Sequence, residues 1–329
     1  MSGRRRWLGA SIAALSLAGA LVAARPASAF CRRVAIPKSD ARDAVAQTPK
    51  QTGICEFARD DANPAYEYWP GRCVGFAVSL DGVARVAEEE AVGTVTRGLL
   101  RWSRSKCGGG APTLEGRYLG PSSCFKPGFF EKGPNQNVVI FHGTWPYKSQ
   151  DGADDDLKLG VTTTTSNTLT GEILDADIEI NIGAPTVAFV PENVPNPGDY
   201  DLDAIVTHEL GHALGLAHSL NPEATMWRAI APGSIASRDL APDDEAGFCF
   251  LYPPDGTRPR KSRGTPPEEP PVSVPATDCD VRPVGGFSRS CEEPSLTGCS
   301  LQGSAAGAGL VTAPFAACAA ILLLRRRRR

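Results

Sequence analysis

Histidine is nearly missing from this 329-residue sequence, with four in all, and methionine is rarer still, with two. None of its ten cysteines is spaced Cys-x-x-Cys, so paired-cysteine zinc ligation lacks its usual signature and disulfides are the better reading. No internal repeat is found. Acidic residues are absent from both ends: residues 1–29 and 299–329 hold no Asp or Glu but nine of the 34 Lys and Arg. The stretch between them carries 25 basic and 37 acidic residues, a net of −12 against −3 for the whole chain. Such a surface is a poor partner for nucleic acid.

The two ends read as addresses. "MSGRRRWLGASIAALSLAGALVAARPASAF" has an arginine n-region, an apolar h-region and an Ala27-Ser28-Ala29 site, the pattern of a cleaved signal peptide over 1–29. At the other end, residues 299–329 hold an apolar span closed by five arginines. It is long enough to cross a bilayer, with the arginines kept on the cytoplasmic side. The expectation is an exported protein held at the cell surface through this membrane-associated tail. Between the globular part (30–253) and the tail, residues 254–298 are rich in Pro, Arg, Lys and Glu and read as an extended linker.

Six cysteines (Cys31, Cys55, Cys73, Cys107, Cys124, Cys249) lie in 30–253, enough for three bridges, with the pairing left open. Cys279 and Cys291 are placed to close a small separate loop. "CVGFAVSL", "NVVIFHG", "LKLGVTTTT" and "GEILDADIEIN" read as strands, the last two joined by the turn signal "SNTLTG". In "ARVAEEEAVGTVTRGLLRWSRSKC", Val86, Val92, Val95, Leu99 and Trp102 share one helical face. "LAPDDEAGFCFLYP" is a late helix with Asp243 and Asp244 near its positive end. Strands with one early and two late helices make the fold class α+β. "DGADDD" at 151–156 offers carboxylates to Ca²⁺, or is simply an acidic surface loop. No pattern specifies an oligomeric state.

Three of the four histidines crowd into eleven residues, "HELGHALGLAH". The preceding aspartates suit a helix N-cap and Gly215 a helix stop. Val206, Leu210, Ala213 and Leu214 form an apolar stripe, while His208 and His212 stand one turn apart on another face. Glu209 is their neighbour. Had the helix continued, His218 would lie about 15 Å along the axis from His208. Gly215 allows the left-handed turn that brings it back. Three neutral imidazoles with a fourth position left to water make an open zinc site of the catalytic kind. Glu209 is placed to act as general base and acid on that water.

The extended motif, His208-Glu209-x-x-His212-x-x-Gly215-x-x-His218, with Met226 in "EATMW", resembles the zinc-binding motif and Met-turn of the metzincin proteases. Ser219 after the third histidine resembles the matrixin branch, as do "LTGEILDADIEIN" and "LAPDDEAGFCFLYP". The likeness is good over 138–253 and holds only in outline over 70–137. It implies a twisted five-stranded mixed sheet, three helices and a cleft with zinc at its floor. It also implies Met226 packed beneath the ligands and protein or peptide substrates bound along an edge strand, for which 160–165 is the candidate. The structural zinc of vertebrate matrixins needs three further histidines, and only His142 is left. "GRCVGF" at 71–76 resembles a propeptide cysteine switch, but Cys73 falls in an expected strand and is assigned to a disulfide. Gly298-Cys299-Ser300 with the apolar and arginine tail resembles the myxobacterial C-terminal sorting signal, with a plain transmembrane anchor as the alternative. The function expected is a zinc metalloendopeptidase. The alternatives are a non-catalytic zinc-stabilised adhesin on the same scaffold and a zinc hydrolase acting on another bond.

Overall fold

Alternation in "ILDADIEIN" decides where the core lies. The computed structural model describes residues 30–35, 65–80, 86–147, 158–183, 187–188, 195–260 and 269–289. The signal-peptide, acidic-loop and tail assignments fall outside these residues, as do Cys55 and Cys291. A short β1 (Cys31–Arg32) is followed by β2 (Cys73–Leu80), α1 (Glu88–Ser103), β3 (Glu115–Pro121), β4 (Val138–His142), β5 (Gly160–Ser166) and β6 (Ile173–Asn181). Then come β7 (Val187–Ala188), β8 (Tyr200–Asp201), α2 (Leu202–Ala213), β9 (Leu216–Ala217) and a 3₁₀ turn at Ala236–Arg238. Last are α3 (Pro242–Leu251), β10 (Thr257–Arg260) and β11 (Glu269–Ser273).

The main sheet has five strands in the order β3-β2-β4-β6-β5. All neighbours are parallel except β5, which runs antiparallel to β6 and forms one edge. Along β6, Ala176, Ile178 and Ile180 join the main core with α1 and α2. The alternate residues Asp175, Asp177, Glu179 and Asn181 point to the opposite face and are also buried. The expected helix face holds for Val95, Leu99 and Trp102, all buried in α1, while Val92 is only partly buried. Trp102 reaches across to donate its indole N–H to the Thr207 carbonyl at 2.9 Å, so α1 is fixed to the middle of α2. Outside the helix–helix seam, Arg97 and Arg101 engage Asp203 of α2 at 2.7 and 3.4 Å.

Strand β3 is absent from the pattern reading because "EGRYLGP" contains two glycines and a proline, which weaken strand propensity. It forms nonetheless as an edge paired to β2, with an irregularity where Gly120 takes φ +109.

The linker assignment over 254–298 is corrected by the structure for its first part. Residues 257–260 and 269–273 form an antiparallel hairpin, and Arg258 is buried. Its guanidinium donates to the carbonyls of Trp69, Gly71 and Thr113 at 3.1, 2.6 and 3.0 Å. Cys279 is disulfide-bonded to Cys73, not held in a loop of its own. Farther along, the Asn135 amide donates to the Val284 carbonyl at 2.8 Å, and Ser123 N–H to that of Arg289 at 2.9 Å. Composition misled here because the segment builds no core of its own. Among its described residues the ties to the domain include the buried Arg258, the Cys73–Cys279 bridge and hydrogen bonds to main-chain carbonyls, none of which needs apolar side chains.

Cys107 pairs with Cys249 and so joins the end of α1 to α3. Cys31 and Cys124 are each in a disulfide as well. Cys31, Cys73, Cys107, Cys124 and Cys249 are thus in disulfides rather than free thiols, as expected, but Cys73 takes its partner from beyond residue 253 and not from among the six. Among the described residues no helix is long and apolar enough to cross a membrane.

Candidate metal centre

Helix α2 begins where the sequence places it. Asp201 is the N-cap, accepting from Ala204 N–H at 2.8 Å, and its carboxylate also receives the buried Arg238 guanidinium at 2.6 Å. The whole helix is buried, which is why its apolar stripe alone does not mark its environment. Its end is closed by side chains from elsewhere. The Trp69 indole donates to the Ala213 carbonyl at 2.8 Å, and the Tyr252 hydroxyl to that of Leu214 at 2.7 Å. Gly215 then takes φ +100. A Cβ there would lie 2.8 Å from the Glu67 carbonyl oxygen, so both conformation and space require glycine.

The turn at Gly215 brings His218 back against the helix. Ring centroids of His208, His212 and His218 are 4.7, 4.8 and 5.3 Å apart pairwise. One nitrogen from each imidazole can be chosen so that all three lie within 4.8 Å of one another. The Nδ1 of His208 donates to the Thr225 carbonyl at 2.7 Å, and that of His212 to the Leu216 carbonyl at 2.8 Å. A carbonyl only accepts, so each Nδ1 carries the proton and each Nε2 keeps its lone pair. Burial holds His212 well below the ordinary histidine pKa, helped by His208 and His218, so it is neutral at pH 7. The donor set fits zinc: three imidazoles, two of them oriented by main-chain carbonyls.

Met226 is buried under α2. A Cβ on Gly211 would collide with the Met226 sulfur and with Trp102 Cζ2, the latter at 2.7 Å. The turn containing Met226 is held from α3. Asp244 accepts from the N–H groups of Thr225 and Met226 at 2.7 and 3.0 Å, and from its own helix start at Ala241 at 2.8 Å. The peptide that orients His208 is thus anchored by a buried carboxylate. The sequence placed Asp244 only at a helix end. The adjacent Asp243 accepts from the Ser219 hydroxyl at 2.6 Å.

Glu209 lies beside the histidines, buried, between α2 and the edge strand β5. Its Oε2 accepts from the Thr162 hydroxyl at 2.6 Å. Burial raises its pKa, opposed by the nearby His208, by the Thr162 hydrogen bond and by Arg33. A second buried carboxylate, Glu67, accepts from Thr164 and Ser166 of β5 at 2.9 Å and pairs with Arg33 at 3.1 Å. The alternate hydroxyls of "TTTTS" therefore fasten the edge strand to the helix and to the 65–68 segment. Neither Glu67 nor this role of the threonines is visible in a pattern that reads only as a strand.

His142, the histidine outside the triad, sits on the far face of the sheet, 2.9 Å from Glu179. Tyr147 donates to the same carboxylate.

Residues 132–253 match the Matrixin family (Peptidase_M10). An 88-residue stretch is 38% identical to Metalloendoproteinase 2-MMP of Arabidopsis thaliana, covering 27% of this chain and 20% of that protein. A 55-residue stretch is 44% identical to Metalloendoproteinase 1-MMP of the same plant, covering 17% and 15%. A 92-residue stretch is 30% identical to Probable matrix metalloproteinase 095L of Invertebrate iridescent virus 3, covering 28% and 23%. The chain thus spans about a fifth of the length of these curated relatives. The region around the histidine triad is matrixin-like, with the α+β arrangement of a five-stranded mixed sheet and three helices.

Proposed function

We propose that the chain is an exported zinc endopeptidase, retained at the cell surface by its C-terminal tail. The observation that carries this reading is the convergence of three imidazoles within 4.8 Å, with a buried carboxylate, Glu209, next to them in sequence and against an edge strand in space.

His208, His212 and His218 would hold the metal. Zinc there would lower the pKa of a water to about 7 and polarise the scissile carbonyl. Glu209 takes the proton released from the attacking water and delivers it to the leaving amine. A carboxylate whose pKa is raised by burial is a stronger base, so it takes the water's proton more readily and holds it until the leaving amine accepts it. Among the described residues, no strand of the sheet pairs with the outer side of the edge strand β5. An extended peptide can add to that edge by main-chain hydrogen bonds, which favours unfolded or loop substrates over a particular side chain. Gly215 and Met226 hold the third ligand and the floor of the site.

Export rests on the N-terminal segment, and retention on the apolar, arginine-closed tail with Cys299 at its start. Calcium at 151–156 is not required by any of these steps.

The test is cleavage of an unfolded protein by the full chain, before and after chelation. The expected result is loss of cleavage with a chelator and recovery when zinc is restored. Cleavage that persists after the metal has been removed would end the proposal.

A further inference from the structure

Glu209 is not free to choose its own orientation, and the side chain that sets it comes from the edge strand. Thr162 is central in β5, on the side that faces α2. Its hydroxyl lies 2.6 Å from Glu209 Oε2 and 3.0 Å from the Glu209 main-chain oxygen. The hydroxyl has one proton to give. The shorter contact has the length of a hydrogen bond to a charged carboxylate, so the proton goes to Oε2 and the main-chain oxygen receives only the weaker, longer approach. Space confirms the fit. At Gly160, two residues back on the same strand face, a Cβ would stand 2.8 Å from both Cγ and Oε1 of Glu209. The strand is therefore cut away at one position and supplied with a hydroxyl at the next inward one, and both changes serve the same carboxylate.

We propose that Thr162 is a positioning residue for Glu209: its hydroxyl occupies Oε2 and holds the side chain in one rotamer, which leaves Oε1 to carry the proton. The inference rests on the proposed peptidase reading and deepens it. A glutamate side chain loses substantial rotamer freedom on being fixed, and a proton carrier is effective only when held near its reacting partners. Because Thr162 also belongs to the strand along which a peptide would lie, the carboxylate and the substrate are referred to one rigid element. An extended peptide added to β5 is then registered against the group that moves its proton. Thr164 and Ser166, the next inward positions, grip Glu67 instead, and Arg33 ties Glu67 to the segment that contacts Gly215. They stabilise the strand's placement, while Thr162 alone among these hydroxyls reaches Glu209.

Three variants separate this role from a merely structural one. Thr162→Val keeps the side-chain shape and removes the donor. Its kcat should fall about 10- to 100-fold, the range typical for losing a group that orients a site residue, with KM and zinc content unchanged. Thr162→Ser restores a hydroxyl and should recover most of the loss. Gly160→Ala adds no polar group and deletes none, but intrudes on Glu209; it should reproduce the kcat defect. A crystal structure of Thr162→Val supplies a readout that does not depend on activity, with Glu209 expected to leave its present rotamer. The proposal is overturned if Thr162→Val turns over within twofold of the parent, if Thr162→Ser is as impaired as Thr162→Val, or if Glu209 keeps its rotamer without the hydroxyl. Should the valine variant not fold, the serine and Gly160→Ala results decide in the same way. A parent chain that binds zinc but cleaves nothing refutes the peptidase reading instead, and the rotamer in the variant structure still judges Thr162.

Discussion

Replacing Gly215 by alanine probes whether the chain turn, and not the helix alone, builds the site. At φ +100 an L-residue pays roughly 1–2 kcal/mol for the left-handed conformation. The new Cβ would also meet the Glu67 carbonyl oxygen at 2.8 Å and Leu251 Cδ1 at 3.4 Å. Crowding of this kind typically costs about 1–3 kcal/mol, and the first contact is main chain, which cannot swing aside. The sum is on the order of 2–5 kcal/mol, within the ~5–15 kcal/mol by which domains are usually stable, so the variant should fold. For a domain of this size such a loss corresponds to a Tm decrease of about 5–15 °C. The strain would be relieved where the chain can give, in 214–218. That segment carries the Leu216 carbonyl on which His212 is oriented, pairs with Cys31 and Arg32, and ends in His218. Zinc affinity should therefore fall at least tenfold along with Tm. A competition titration against a chromogenic chelator, run beside thermal unfolding, measures both. A variant with parental zinc affinity would refute the idea that this turn sets the third ligand, however much its Tm had moved.

Further outcomes follow from the same geometry. The Cys73–Cys279 bridge spans 206 residues, and closing a loop that long is worth on the order of 5 kcal/mol by chain entropy, with about 2–5 usually observed. Cys73→Ser with Cys279→Ser should lower Tm markedly and expose residues 254–289 to limited proteolysis, whereas unchanged protease resistance would show the strap needs no covalent tie. Ending the chain after residue 253 removes Arg258 and should destabilise or abolish folding; ending it after Pro294 should not, and equal Tm values for the two would contradict the placement of Arg258. Asp175 and Asp177 form a buried carboxyl pair, with burial raising both and Asp177 reaching about 7. A raised carboxyl pKa means the folded chain binds the proton more tightly, so Asp177's contribution falls as pH climbs from about 4 to 7, and that of Asp175 likewise falls as pH rises above its unfolded value. Asp175→Asn should flatten this slope in pH-dependent denaturation, and a slope as steep as the parent's would place the titration elsewhere.

Much of the site could be read directly. Histidine spacing, an aspartate cap and Gly215 together require a helix that stops and doubles back, and His208, His212 and His218 do converge. What the pattern could not reach are groups whose meaning depends on distant partners. Thr162 and Thr164 are ordinary strand residues until Glu209 and Glu67 are set against them. Asp244 is an ordinary helix-start acid until Thr225 and Met226 present their amides. β3 was hidden by its glycines and proline, since strand pairing with β2 overrides weak propensity. The segment after residue 253 does not show its attachment in composition, because apolar content measures only one way of being tied down. Its anchors are a buried arginine and a disulfide, and each needs a partner more than a hundred residues away.

The central claim is that three histidines hold zinc while Glu209 moves the proton. Zinc content and unfolded-protein cleavage should be measured side by side on the full chain and on Glu209→Ala. The account predicts one zinc per chain in both proteins, chelator-sensitive cleavage by the parent, and nearly none by the variant, because the substitution removes the base and no ligand. A zinc-loaded Glu209→Ala that cleaves at the parental rate would contradict the account.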